Sequence, residues 1–306
     1  MYSRLFNQYA KRDMSDPGDV VFAFQGILSI MKRVLGTDSL AGIPEGYLHE
    51  GLLWLSLEPK SRREVKAGHS TAIPYPGWSW AGWKNRSMYV FDLTTDILPE
   101  VDWFVADDTG VLVRLHTPGT YYRSREASLS RENKDTGPGE PSLKFQESIR
   151  PRNQLTISDG FWNFSQHLAT WTTVASFSIT GECINLGHRF STTHDHENIF
   201  ISNDAGERVG SIIRIKVCWD DEPSSMGPGF EFMLLSRSRD PRTAYNNAGL
   251  GTYFFDTTVL PEREWCYLNV MLIQRTGEMA SRVGIGIIHE DAWVKANLTP
   301  MLVKLE

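Results

Sequence analysis

Residues 74–83 read P-Y-P-G-W-S-W-A-G-W and place three indoles, Trp78, Trp80 and Trp83, within six positions. Each indole can withdraw roughly 150–250 Å² from water and carries an N–H that needs an acceptor. Three of the chain's ten Trp in so short a stretch, punctuated by Pro76-Gly77 and Ala81-Gly82, point to a packed anchor rather than a solvated loop. The anchor is expected to join a helical N-terminal segment to a strand-rich remainder. That reading divides the chain into residues 1–60, 61–83 and 84–306.

On the N-terminal side, Tyr2, Leu5, Phe6 and Tyr9 recur at helical spacing. Tyr2, Phe6 and Tyr9 join the three Trp as candidate interaction residues. Asp16 fits a helix N-cap, Pro17 the first helical position and Asp19 the first turn. Val20, Phe24, Ile27, Leu28, Met31 and Leu35 then form an apolar stripe over a helix of residues 17–35. Val21, Ala23 and Ile30 widen the stripe, which predicts burial on more than one side. Gly26 costs about 1 kcal/mol in helix propensity, so a closely packed neighbour is expected there. Gly36 is a natural stop. A second helix is predicted over residues 44–55, from Tyr47, Leu48, Gly51, Leu52 and Leu55. The charged run that follows, including Lys60, Arg62, Arg63 and Lys66, reads as a solvated connection.

Beyond the anchor the period shortens to that of strands. Residues 87–93, 101–106 and 111–115 are short apolar runs, the last two forming a hairpin around Asp107-Asp108-Thr109-Gly110. Residues 121–141 are polar, end in T-G-P-G-E-P and read as an insert in the β-rich domain. Further strands are expected at 175–179, 198–202, 208–217, 230–236, 252–255, 264–274, 280–288 and 301–305, with a short turn or helix from 291. In residues 208–217 the alternation predicts a half-buried antiparallel strand. Gly284 and Gly286 predict a backbone packed closely against a neighbour, with the aromatic anchor as one candidate. Repeated strand–helix–strand units are missing, which disfavours a Rossmann-type sheet. The expected fold is α+β, with N-terminal helices packed on a mostly antiparallel, sandwich-like or strongly curved sheet.

The formal charge of −6 argues against non-specific nucleic-acid binding. No run approaches the ~18 apolar residues of a membrane span. No secretory h-region is visible, and three widely separated cysteines suit free thiols in a reducing compartment. A cytoplasmic protein is expected. The segment G-H-R-F-S-T-T-H-D-H-E brings His188, His194, Asp195, His196 and Glu197 into one stretch. Imidazole and carboxylate are zinc or iron ligands, and His194 and His196 would share a face in a strand. A metal-dependent hydrolase would use this segment, although no third ligand is identifiable; an exposed polar loop explains the same residues. Ser79 is flanked by Trp, not by a base, and reads as a buried hydroxyl satisfying backbone. Exposed Trp78, Trp80 or Trp83 would instead suit sugar stacking on a β-sandwich. No catalytic motif and no cofactor site is identified.

Three stretches, Y-A-K-R-D-M-S-D-P-G-D-V-V-F-A-F-Q-G-I-L, I-P-E-G-Y-L-H-E-G-L-L-W and P-G-W-S-W-A-G-W, resemble fungal heterokaryon-incompatibility domain proteins. The likeness is to the region downstream of the family's conserved module. F-M-L-L-S-R, Y-L-N-V-M-L-I and R-V-G-I-G-I-I-H-E-D-A-W extend it to the carboxyl end. The family is associated with non-self recognition and programmed cell death. Its module, similar to signalling domains of the Toll/interleukin-receptor kind, carries stretches like L-S-H-C-W-G and W-I-D-A-L-C-I-N-Q, and neither occurs here. The resemblance therefore implies a chain that begins just after the module and serves as an accessory, regulatory or protein-interaction portion. Its partner would be another protein or that N-terminal module, and it could oligomerise. Tyr2, Phe6 and Tyr9 would pack against the module and be exposed without it.

Overall fold

Strand β8 (Leu168–Gly187) is 20 residues long, and its length decides the architecture of the C-terminal region. A straight strand of that length would run to roughly 65 Å, so β8 serves different neighbours along its course. In the computed structural model, which describes residues 2–10, 20–36, 38–56, 61–63, 75–84, 87–89, 97–106, 111–115, 167–187, 196–215, 229–238 and 254–306, it pairs with four other strands. Residues 174–177 pair with β11 (Phe230–Ser238) and residues 178–187 with β9 (His196–Ser202). From β9 the ladder continues through β10 (Arg208–Ile215), β13 (Met279–His289) and β12 (Tyr267–Thr276) to β11. The circuit β8–β11–β12–β13–β10–β9 thus closes on itself, every pair antiparallel. Closure satisfies the backbone groups that an open sheet leaves at its edges. Of the two expected geometries, the strongly curved sheet is the one adopted.

Smaller strands complete this ten-stranded sheet. β14 (Thr299–Leu305) runs antiparallel to β8 and meets β13 in parallel. β5 (Ile97–Pro99) lies on β11, β6 (Trp103–Ala106) on β8, and β7 (Leu112–Arg114) on β6. The β12–β13 hairpin turns in two residues, with Gly277 at φ +62°, the position where a type II′ turn wants glycine. β10 is buried along residues 209–213, correcting the half-buried reading. One cause is β3 (Trp54–Ser56), which packs against both β10 and β13. The Gly286 backbone approaches β10, not the aromatic anchor: a Cβ there would stand 2.8 Å from the Ser211 carbonyl oxygen. Phe254 and Phe255 belong to no strand; both are buried, with Phe255 against Tyr267 and His289.

The N-terminal region packs against the sheet. α1 (Tyr2–Tyr9) forms as its periodicity predicts. α2 (Gln25–Leu35) starts later than expected, after a turn over residues 20–24, and stops at Gly36, whose N–H reaches the Lys32 carbonyl at φ +70°. Val20, Phe24, Leu28 and Met31 are buried. Phe22, Ile30 and Val34 are 78%, 49% and 72% exposed, so α2 is not buried on more than one side. Gly26 has no neighbour within 4 Å of a would-be Cβ, which removes the packing explanation for it.

The second predicted helix is the larger miss. A 3-10 turn (Glu45–Tyr47) leads to one short turn, α3 (Leu48–Gly51), and residues 54–56 are strand β3, paired with β4 (Ser87–Tyr89). The interval in residues 44–55 is helical only in sequence. Long-range pairing with β4 and burial of Trp54 override it. β1 (Ser39–Leu40) and β2 (Ile43–Pro44) form a tight hairpin with Ala41 at φ +46° and Gly42 at φ +86°. Glycine is required at the second position because the Trp80 ring lies against it: a Cβ would stand 2.6 Å from Cζ2. The expected insert at 121–141 lies outside the described residues.

Candidate functional site

The anchor holds together through its own polar atoms. Ser79 caps a 3-10 turn (Trp80–Gly82), its Oγ accepting from Ala81 N at 3.0 Å and donating to the Ala41 carbonyl at 2.7 Å. That is the backbone-satisfying role expected of a buried hydroxyl. Trp80 Nε1 donates to Tyr2 Oη at 2.9 Å, and Tyr2 Oη donates on to the Gly42 carbonyl at 3.0 Å. Trp83 Nε1 donates to the Gly77 carbonyl, and Trp54 Nε1 to that of Trp78. Arg62 and Arg63, expected in a solvated connection, instead hold this stretch. Arg63 donates to the carbonyls of Ala81 and Trp83, and Arg62 donates to Tyr75 while lying 5.1 Å from the centroid of the Trp83 ring. Trp78 and Trp80 are buried and Trp83 is half-buried. The two buried indoles leave no face for a sugar to stack on.

Tyr2, Phe6 and Tyr9 are buried as well, at 0%, 1% and 6% exposure. The expectation that they form an exposed patch awaiting another module is therefore corrected. The chain covers them itself: Phe6 meets Trp80 at 4.7 Å, Phe24 and Tyr89 complete the cluster, and Tyr9 Oη bonds the Val20 carbonyl. Asn7 reinforces the joint by bonding both backbone polar groups of Tyr89, as a neighbouring strand would.

Ionisable groups line this junction. Glu50 accepts the Ser3 N–H at 3.1 Å, satisfying an orphan donor of α1, and burial raises its pKa. His49 is 3% exposed, and burial lowers it to about 4, against a smaller opposing pull from Asp102. Its folded value lies below the unfolded 6.5, so its contribution is intact above pH 6.5 and is lost as pH falls towards 4. That displacement corresponds to roughly 3 kcal/mol. Acidification from pH 7 to 4.5 should therefore destabilise the wild type more than a His49→Gln variant. Urea unfolding at the two pH values measures this, and equal slopes would refute it.

A second constellation sits where β5, β11 and the helix α4 (Glu290–Lys295) converge. Arg237, 1% exposed on β11, donates through Nε to Glu100 and through Nη1 to Glu290 Oε1 at 2.9 Å. Arg263 continues the chain outwards to Glu290 and Asp291. Burial pushes the Glu100 carboxyl up, while Arg237 pulls it back down. Beside this network Trp265 adopts φ +64°, a strained conformation for a bulky residue. His289 caps α4: Nδ1 accepts the Asp291 N–H at 3.1 Å, so Nε2 carries the proton and donates to the Pro261 carbonyl. With that lone pair occupied and burial lowering its pKa, His289 is held neutral and is no free base. Burial pushes the Cys266 thiol to about 11, so it stays protonated and unreactive. The network's chemistry is structural: it pins three elements together.

Sequence reasoning missed Arg237, Glu100 and Glu290, which are separated by at least 53 positions and share no local motif. Of the candidate metal ligands, His196 opens β9 opposite Ile215 and Gly187, while His188 and His194 lie outside the described residues. Among the described residues no group of three His, Cys, Asp or Glu is placed to hold a metal, and no helix is long and apolar enough to cross a membrane. No protein family, no curated protein and no solved structure matches the chain.

Proposed function

We propose that this chain is a non-catalytic protein-interaction or regulatory portion of a heterokaryon-incompatibility type protein, acting in the cytoplasm in non-self recognition. Its contact surface is the outer face of α2. The resemblance of the aromatic anchor and the carboxyl-terminal motifs supports the family. The observation that carries the interaction reading is the exposure of Ile30 and Val34 on α2, with exposed Phe22 in the turn that leads into it. Ile30 and Val34 stand one turn apart on a single face, where side chains four residues apart are neighbours. Single exposed apolar residues are ordinary, but a grouped set rimmed by polar residues marks contact sites. This face takes the place of Tyr2, Phe6 and Tyr9, which the chain's own core occupies.

The partner is a protein, with the family's signalling module as the first to try. A calorimetric titration of the chain with such a module, separately produced, tests this. The expected result is binding that weakens at least about tenfold, or about 1.4 kcal/mol, in an Ile30→Asp/Val34→Asp variant that keeps the wild-type unfolding midpoint. No binding by the wild type, or equal binding by the variant, would overturn the proposal.

A further inference from the structure

Arg282 is the least compensated charge in the described structure. It sits on β13 at 6% exposure, with its guanidinium carbon 3.8 Å from the centroid of the Trp54 ring. One nitrogen, Nη2, donates to the Trp54 carbonyl. Nε and Nη1, which carry three N–H hydrogens between them, have no hydrogen-bond partner, and among the described residues no carboxylate pairs with Arg282. The neighbouring Tyr89 hydroxyl, which burial keeps neutral, donates to the Gly51 carbonyl and supplies no counter-charge. Burial lowers the pKa of Arg282 to about 9, which still leaves it protonated at neutral pH.

A buried cation in this state has two routes to compensation. It can meet a carboxylate of its own chain, or it can receive an anion from outside. Arg237 shows what the first route looks like in this protein: two carboxylates converge on it. Arg282 has instead an aromatic floor and a set of buried planar donors without partners, the donor geometry that recognises carboxylate and phosphate oxygens. We propose that Arg282, with Trp54 beneath it, is the receptor of a binding site for a small oxyanion of the carboxylate or phosphate type. The site lies where the N-terminal region meets the sheet, so an anion bound there would tighten that joint. The inference is independent of the partner surface on α2.

Thermal unfolding of the full chain, at constant ionic strength with chloride exchanged for inorganic phosphate or for acetate, tests the site. The wild-type midpoint should rise by about 2 °C at ten times the dissociation constant. A rise with phosphate alone assigns a phosphate-type ligand, and a rise with acetate alone assigns a carboxylate. Arg282→Met should abolish the dependence. It should also unfold at a higher temperature than the wild type in chloride, because it removes an uncompensated buried charge. An Arg282→Met midpoint below that of the wild type, with no anion dependence in either protein, would place the counter-charge within the chain and overturn the proposal. Should that variant fail to fold, phosphorus NMR of inorganic phosphate titrated with the wild type decides. Saturable line broadening supports the site. Its absence, together with an acetate-insensitive midpoint, overturns it.

Discussion

An Arg237→Met variant should lose about 3–5 kcal/mol of stability at pH 7, the cost of leaving a buried carboxylate without its partner. Glu100 is 7% exposed, and its Oε2 already lacks a hydrogen-bond partner, so nothing else described stands ready to replace the guanidinium. The variant should also acquire a distinctive pH dependence. Burial already raises the Glu100 carboxyl, and removing Arg237 takes away the largest influence that lowers it. A carboxyl whose folded pKa exceeds its unfolded value contributes stability that is fully present below the unfolded value, near 4.3. That stability is lost as pH rises through the folded value. The defect of Arg237→Met should therefore shrink between pH 7 and pH 5, and adding Glu100→Gln should recover much of it at pH 7. Urea unfolding of the single and double variants at both pH values measures this. A loss under about 1 kcal/mol at pH 7 would mean the pair is solvated enough to be dispensable.

Trp80→Ala should cost a comparable amount, about 3–5 kcal/mol, because the void opens beneath Phe6, Tyr9 and Phe24, all of which pack on that ring. The hydrogen-bond relay adds a separable contribution. Tyr2→Phe keeps the ring volume but leaves the Trp80 N–H and the Gly42 carbonyl unmatched, for an expected loss of about 1–3 kcal/mol. The ordering Trp80→Ala worse than Tyr2→Phe, read from denaturant midpoints, checks that packing dominates the relay. The reverse order would mean that the cavity collapses around the missing indole. Neither substitution touches the exposed face of α2, so both act on stability and not directly on partner contact.

Features set by neighbours in the chain were legible before the fold was known. The Trp-rich anchor announced itself by density and Gly36 by its place after an apolar stripe; N-D-A-G-E at residues 203–207, between two expected strands, has the composition of a turn. In that turn Asn203 Oδ1 accepts the N–H groups of Ala205 and Glu207. The helical spacing of Tyr2, Phe6 and Tyr9 marks one apolar helix face, but periodicity says nothing about what buries it, and the expected exposure of that face was wrong. The cover is Trp80, Tyr89 and Phe24 of the same chain. Strand β3 was misread because the spacing of Leu48, Leu52 and Leu55 also suits a helix. Only pairing with β4, more than thirty positions away, chooses between them.

Closure of the sheet and the burial of Arg237 and Arg282 belonged to tertiary structure alone. Arg237 and Glu100 are 137 positions apart, and Arg282 and Trp54 are 228 apart. In sequence each arginine looks like the polar edge of an apolar run. Whether such a residue reaches water or is sealed in depends on which distant segments meet it: β5 and α4 for Arg237, Trp54 of β3 for Arg282. Local sequence carries turn chemistry and the direction of apolar faces, because both act between near neighbours. It carries neither the strand order nor the burial of a lone charge, because those depend on contacts made only after distant segments meet.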